Sequence, residues 1–379
     1  MARKNDATTL DQILYMAFEL SKTKWKLGFS SGLGQRPRIR TMEAGDLEQL
    51  GEEIRVAKER FGLAADSDVV SCYEAGRDGF WIHRSLESIG VRNLVVDPGS
   101  VPVNRRGRRA KTDRLDVGGL LLNLIKYELG ETDVWSVVRV PSEMDEDARH
   151  LHRQLEALKR ERTRHVNRIK AALFAHGVEV PLGKGFMERV ENVLRWDGTP
   201  LPPGVKARVC CEYRLLETVQ ALMAEIEAER RRVVREGTDA SAEMVRQLLG
   251  LRGVGMQSSW LLVMELFAWR RFENGKQVGS LAGLTPTPYD SGGSRREQGI
   301  GKDGIRSVRS MAIELAWCWV RLQPQSKRTL WFNERFADGS KRVRKIGIVA
   351  VARRLLIDLW RYLEHGVVPE GAQLKRATA

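Results

Sequence analysis

The chain has 379 residues, enough for two or three domains, and 42% of it is apolar, ample for ordinary buried cores. Lysine and arginine outnumber aspartate and glutamate by 63 to 49, a formal net charge of +14 that favours a polyanionic partner, nucleic acid first. The four cysteines, Cys72, Cys210, Cys211 and Cys318, have no C-x-x-C spacing, which excludes a zinc ribbon and a disulfide framework.

The opening MARKNDATTLDQ lacks the apolar run of a signal peptide, and no uninterrupted apolar stretch approaches the length of a membrane span. A soluble protein of the reducing cytoplasm, associated with the nucleoid, is the expectation. Next, ILYMAFELSKTKWKLGFS reads as two short strands around a polar turn. AGDLEQLGEEIRVAKERFG places Leu47, Leu50, Ile54 and Ala57 at helical spacing. The runs DVVSCYEAG and VRNLVVDP read as further strands, separated by a helix carrying Trp81, Ile82, Leu86 and Ile89. The first third is therefore α/β, with a central sheet whose carboxyl edge can hold a site.

From Ser142 onward Leu151, Leu155, Leu158, Val166, Ile169 and Leu173 mark a long amphipathic helix. GTPLPPG interrupts the pattern, and a second helix follows with Leu216, Val219, Leu222 and Ile226 before the basic run ERRRVVRE. The pair reads as an antiparallel or intersubunit coiled coil made imperfect by Arg162, or equally as two solvated helices of a bundle. In MVRQLLGLRGVGMQSSWLLVMEL, the Gly253-Val254-Gly255 turn between two helices resembles a helix-hairpin-helix, whose glycines admit a phosphate to backbone N–H groups. A tight turn between packed helices is the simpler reading of the same residues. The turn-rich GLTPTPYDSGGSRREQGIGKDG and an apolar helix over 308–322 complete the order.

Within RRAKTDRLDVGGLL, Asp113 and Asp116 fall on one face of a helix predicted to begin near Thr112. Alone, such a pair is usually a cap that complements the helix dipole. Two further acids change its meaning: Glu74, just past an apolar strand, and Glu19, inside the first apolar run, stand where patterning tolerates apolar residues. Strand-borne acids converging with a helix-borne pair make a hard oxygen site for Mg2+, and two such ions could hold a scissile phosphate, activate a nucleophile and stabilise the leaving oxygen. The cations in front of the pair, Arg105, Arg106, Arg108, Arg109 and Lys111, together with Arg114, are suited to a nucleic-acid backbone. No G-x-x-x-x-G-K-[ST] occurs, so ATP use has no support. His150 and His152, two residues apart on different helical faces, build no competing metal site, and the tryptophans read as core.

AFELSK, YEAGRDGFWIHRSLESIGVRNLVVDP, AKTDRLDVGGL, LRGVGMQSSWLLVMEL, FENGKQVGSLAGLTPTPYDSGG and IGKDGIRSVR resemble, in order, the transposases of the insertion-sequence-110 family. KTDRLD and the combination LAGLTP, SGG and GK are the specific parts. The resemblance implies a RuvC-like (RNase H-like) α/β nuclease domain over 1–140, a helical coiled-coil connector over 141–240, and a mainly helical transposase domain over 241–379. It implies a D-E-D-D metal set at Glu19, Glu74, Asp113 and Asp116, holding two Mg2+ ions with Mn2+ as the other candidate. Glu19 departs from that pattern, which has aspartate; the added methylene changes the metal spacing available.

The family serine nucleophile matches Ser291 in YDSGG, with Ser294 its nearest rival; read alone, Ser-Gly-Gly is a turn. The resemblance further implies donor and target DNA, a non-coding bridge RNA that pairs with both, and dimers or tetramers in which one subunit's serine completes another's acidic site. The basic runs 105–114, 159–168, 230–235 and 341–345, with Gly253, Gly255, Arg295, Arg296 and Lys302, are the expected nucleic-acid contacts. The function so implied is DNA cutting and rejoining through a phosphoserine. A RuvC-like hydrolytic endonuclease and a catalytically decayed nucleic-acid-binding protein are the alternatives.

Overall fold

The computed structural model describes residues 13–102, 113–291 and 294–375; the side chains of 113–115, 288–291 and 294–298 lie outside that description. The chain divides between Val140 and Pro141 into two compact units. In the first, β1 (Leu14–Leu20), β2 (Lys24–Ser30), β3 (Arg38–Glu43), β4 (Val69–Glu74) and β5 (Arg92–Val96) form one sheet in the order β3-β2-β1-β4-β5. The β1–β2 and β2–β3 pairs are antiparallel, whereas β4 lies parallel to both β1 and β5.

Strand β1 sits in the middle of the sheet, and LYMAF is buried without a break because helices cover both faces. One face carries Leu14, Met16, Phe18, Trp25, Leu27 and Phe29 against α1 (Leu47–Arg60) and α2 (Trp81–Ser88). The other carries Tyr15, Ala17, Val70, Cys72 and Val96 against α3 (Asp113–Glu128), which contributes Val117, Leu120, Leu121 and Leu124. The sequence patterning anticipates each of these elements except β3. That edge strand, RIRTME, buries only Arg38 and Met42, and Arg38 pairs with Glu53 of α1 with its guanidinium 5.5 Å from the Phe29 ring centroid.

The second unit is helical apart from one hairpin. It comprises α4 (Glu143–Ala148), α5 (His150–Phe174), α6 (Phe186–Asn192), α7 (Pro203–Glu236), α8 (Ala240–Leu249), α9 (Met256–Leu262) and α10 (Gly275–Leu281). The hairpin strands β6 (Pro286–Ser291) and β7 (Ser294–Ile300) follow, then α11 (Arg306–Leu322), α12 (Lys327–Phe336) and α13 (Lys341–His365). Helices α5 and α7 lie antiparallel: Leu155 near the start of α5 meets Met223 and Ile226, and Ile169 and Leu173 near its end meet Val209, Tyr213 and Leu216. Arg162 faces solvent, and His165 enters the seam instead, its Nδ1 2.6 Å from Glu212 Oε2 of α7.

One member of the basic run 230–235 is a core residue. Arg230 is 1% exposed because it falls on the apolar stripe Met223, Ile226 and Val234. Its guanidinium lies 4.9 Å from the Trp260 ring centroid and donates to Gln257 Oε1 at 2.9 Å and to the Met256 carbonyl at 3.2 Å. Burial pulls its pKa down to about 10, so the cation persists at neutral pH. Nearby His152 is buried too, and burial holds its pKa below the ordinary 6.5.

Two predictions follow from this packing. A Cβ on Gly28 would stand 2.5 Å from Val117 Cγ1, so Gly28→Ala should destabilise the first unit by about 1–3 kcal/mol, and a second change, Val117→Ala, should recover part of it. Thermal melts of the two single variants and the double variant test this. The unfolded chain protonates His152 more readily than the folded one, so stability falls as pH drops below 6.5, by up to about 1.4 kcal/mol per pH unit. His152→Gln should flatten the slope of Tm against pH between 7 and 5.5.

Candidate active site

Strands β1 and β4 run parallel, so their carboxyl ends lie at the same sheet edge. The register pairs Phe18 with Tyr73, and one residue further along stand Glu19 and Glu74. Side chains alternate across a strand, which groups Glu19 with Tyr15 and Ala17, and Glu74 with Val70 and Cys72. That is the face α3 covers. Asp113 is the first residue of α3, and Asp116 lies in its first turn, half-buried. The helix is seated there by two contacts: Val117 against Gly28, which has no side chain to hold it off, and Cys72 Sγ 3.9 Å from the Leu120 carbonyl oxygen.

The structure thus sets Glu19, Glu74 and the acidic start of α3 at one end of one face. Among the described residues, no three His, Cys, Asp or Glu side chains close into a metal-holding group, and the Asp113 side chain lies outside them. The donor chemistry fits a hard divalent cation: carboxylates only, with no exposed thiol or imidazole from these strand ends. Cys72 is fully buried, and burial, reinforced by the Glu74 charge, pushes its thiol far above the ordinary range, so it is no nucleophile. Lys26 stands directly across from Glu19 on β2. Its place in KWK, on the polar alternation of an otherwise apolar strand, was the signal that could have singled it out.

A second candidate element, in the other unit, is the β6–β7 hairpin. Ser291 is the last residue of β6 and registers with Ser294, leaving only Gly292 and Gly293 between them. The motifs LAGLTP and GKDG, distant in sequence, clasp each other at the hairpin root. Gly301 N–H donates to the Thr285 carbonyl at 2.9 Å, Ile305 N–H to the Leu281 carbonyl at 2.8 Å, and Lys302 N–H to the Gly283 carbonyl at 3.3 Å. Gly283 adopts φ +65° and Lys302 φ +66°. A side chain on Gly304 would collide with the Leu281 carbonyl oxygen. The glycines thus let two backbones lie in contact.

Gly253 and Gly255 occupy the turn between α8 and α9. Gly253 has φ +86° and packs on Leu322, and Gly255 N–H donates to Ser258 Oγ at 3.2 Å. The turn is also anchored from the chain's far end: Arg252 N–H donates to the Gln373 carbonyl at 2.9 Å, and Lys375 Nζ to the Val254 carbonyl at 2.8 Å. Arg105, Arg106, Arg108, Arg109 and Lys111 lie outside the described residues, as do the side chains of Arg114, Arg295 and Arg296.

Residues 245–330, which include this turn, the clasp and Ser291, match the Transposase IS116/IS110/IS902 family. Two proteins of Sinorhizobium fredii, each provisionally named a transposase, are similar over most of the chain. One, y4rJ, is 39% identical over 377 residues, covering 96% of this chain and 94% of the relative; the other, y4qE, is 30% identical over 311 residues, covering 82% and 72%. The transposase for insertion sequence element IS1328 of Yersinia enterocolitica is 28% identical over 220 residues, 58% of this chain and 63% of the relative. A mixed five-stranded sheet joined to a helical unit, in a strongly basic chain, is thus that of a DNA-transposing enzyme. The chain belongs to the IS116/IS110/IS902 transposase family.

The clasp gives a test of its own. Gly304→Ala should part the two segments at a cost of about 3 kcal/mol or more and expose the hairpin. Limited proteolysis should then cut within 286–300 at protease levels that leave the wild-type chain intact.

Proposed function

We propose that this transposase cuts and rejoins DNA through a covalent phosphoserine formed at Ser291, with Glu19, Glu74, Asp113 and Asp116 holding two Mg2+ ions or their Mn2+ substitutes. The observation that carries the reading is the position of Ser291. It ends a strand at the tip of a two-residue hairpin, inside the family-matching segment, on a root clasped by glycine-permitted contacts. The acid edge supports the metal assignment, since carboxylates on adjacent parallel strand ends face the start of α3. Bound there, the ions would withdraw charge from the scissile phosphate and from the attacking and leaving oxygens.

The chemistry balances without ATP. Ser291 Oγ loses its proton and bonds to phosphorus, while the bond from phosphorus to the leaving deoxyribose oxygen breaks and that oxygen takes up a proton. A hydroxyl of a second DNA end then attacks the phosphoserine, loses its proton and restores the serine. The phosphodiester energy is retained, whereas water would discard it. No histidine lies in 286–305, which favours a serine whose deprotonation is driven by charge at the acid site instead of by a neighbouring base.

The wider architecture follows the same reading. The sheet order β3-β2-β1-β4-β5 supports a RuvC-like domain over 1–140, and the antiparallel α5–α7 pair supports a coiled-coil connector over 141–240 leading to the transposase domain over 241–379. A bridge RNA would select donor and target DNA by base pairing, while the basic runs hold the helical backbones. Dimers or tetramers, in the nucleoid region of the cytoplasm, would bring one copy's serine to another's acids.

The test is to co-express the chain with the non-coding sequence flanking its gene, supply labelled donor and target DNA with Mg2+, and resolve the products under denaturing conditions. A protein–DNA adduct should form with wild type, vanish with Ser291→Ala, and fall at least about 100-fold with Asp116→Asn. Cleaved DNA without an adduct would transfer the assignment to a hydrolytic nuclease. If RNA is bound and neither product forms, the chain is a decayed binding protein, and activity gained by Glu19→Asp would locate the decay.

A further inference from the structure

Beside the foot of the β6–β7 hairpin the second unit opens a groove of about 900 Å³, within the 300–1,000 Å³ usual for ligand sites. Its floor is aliphatic: Leu284, Ile300, Ile346, Val349 and Ile357. Its rim carries Lys341, Arg342, Lys345, Arg353 and Arg354, and among the described residues no acid lines it. Among the described residues, none of these five cations pairs with a carboxylate, and Arg353 Nε has no hydrogen-bond partner. Arg354 lies 3.8 Å from the Trp331 ring centroid, and burial, with repulsion from Arg328, Arg335 and Arg353, lowers its pKa. Ile346 is 55% exposed, a large apolar side chain left open among charges.

We infer that this groove binds single-stranded DNA, with an unstacked base on the aliphatic floor and phosphates on the rim. The chemistry selects such an occupant. It must be anionic along one edge and apolar along the other; a duplex keeps its base faces stacked inside, whereas an unpaired strand offers both phosphates and a free base face. Lys341 and Lys345, one helical turn apart on α13, line one wall, and Lys345 to Arg353 spans ~12 Å along the helix. Pro286 and Gly299 stand on the hairpin side of the groove. From Pro286 the strand β6 runs five residues, ~17 Å, to Ser291, so a strand held in the groove lies one hairpin length from the serine. The inference rests on the reading of this chain as a DNA transposase. It is tested by binding without cleavage, so its failure and that of the serine chemistry are separable.

Fluorescence anisotropy of the full chain in EDTA, with a 20-nucleotide DNA strand lacking self-complementarity, its duplex, and RNA of the same sequence, tests the assignment. Lys341→Ala with Lys345→Ala should weaken binding of the single strand at least ten-fold and reduce the slope of log K against log salt by about 1.4. Ile346→Gln should weaken the single strand about five-fold and leave the duplex unchanged. Arg208→Ala with Arg214→Ala, an equal loss of charge at exposed positions of α7 outside the basic runs, should stay within two-fold of wild type. Crosslinks from 5-iododeoxyuridine in the wild-type complex should map to 341–357. Groove variants within two-fold of wild type, an equal loss of duplex binding in Ile346→Gln, a larger loss for RNA than for DNA, or crosslinks confined to other segments would each overturn the assignment.

Discussion

Close approach of backbone to neighbouring atoms, permitted by glycine, is the constraint on which the acid edge of the first unit and the hairpin of the second each depend. At Gly28 the missing side chain lets Val117 reach the sheet, and that contact sets the first turn of α3, with its aspartates, over the strand ends carrying Glu19 and Glu74. At Gly283 and Gly304 the same absence lets 281–285 lie against 301–305, which closes the root of the hairpin bearing Ser291. In each case a methyl group would displace residues that lie several positions away.

The two units solve burial differently. The first wraps one sheet in helices on both faces, so its central strand is buried and apolar from Leu14 to Phe18 and turns acidic at Glu19, near its carboxyl end. The second buries cations among tryptophans: Arg230 over Trp260, and Arg149 over Trp269 at 4.9 Å. Arg328 is held differently, by a bidentate pair with Asp358 that ties α12 to α13. In so basic a chain these arrangements take cations into packing, and the exposed remainder is left for an anionic partner.

Much of this was legible in the sequence because periodicity reports burial. Strands β1, β2, β4 and β5, and helices α1, α2 and α3, follow from apolar spacing and turn residues, and the start of α3 at Asp113 matches its acidic first turn. Edge strand β3 was not legible, since only Arg38 and Met42 are buried and one of them is a cation. The hairpin was not legible either: prolines, glycines and charges signal turns, and its pairing rests on a long-range clasp that no local window contains. Arg230 was hidden in a run of arginines, although its position four residues from Ile226 and Val234 placed it on the buried stripe. Glu19 and Glu74 stood out as acids in apolar runs, but only the parallel register of β1 and β4 makes them neighbours.

The central claim is that Ser291 itself carries the DNA. The most direct measurement is to isolate the protein–DNA adduct, digest it with nuclease and protease, and locate the residual nucleotide by tandem mass spectrometry. The account predicts one modified site, a phosphonucleoside on the Ser291 hydroxyl. A nucleotide on Ser294, or on any residue outside the hairpin, would contradict it.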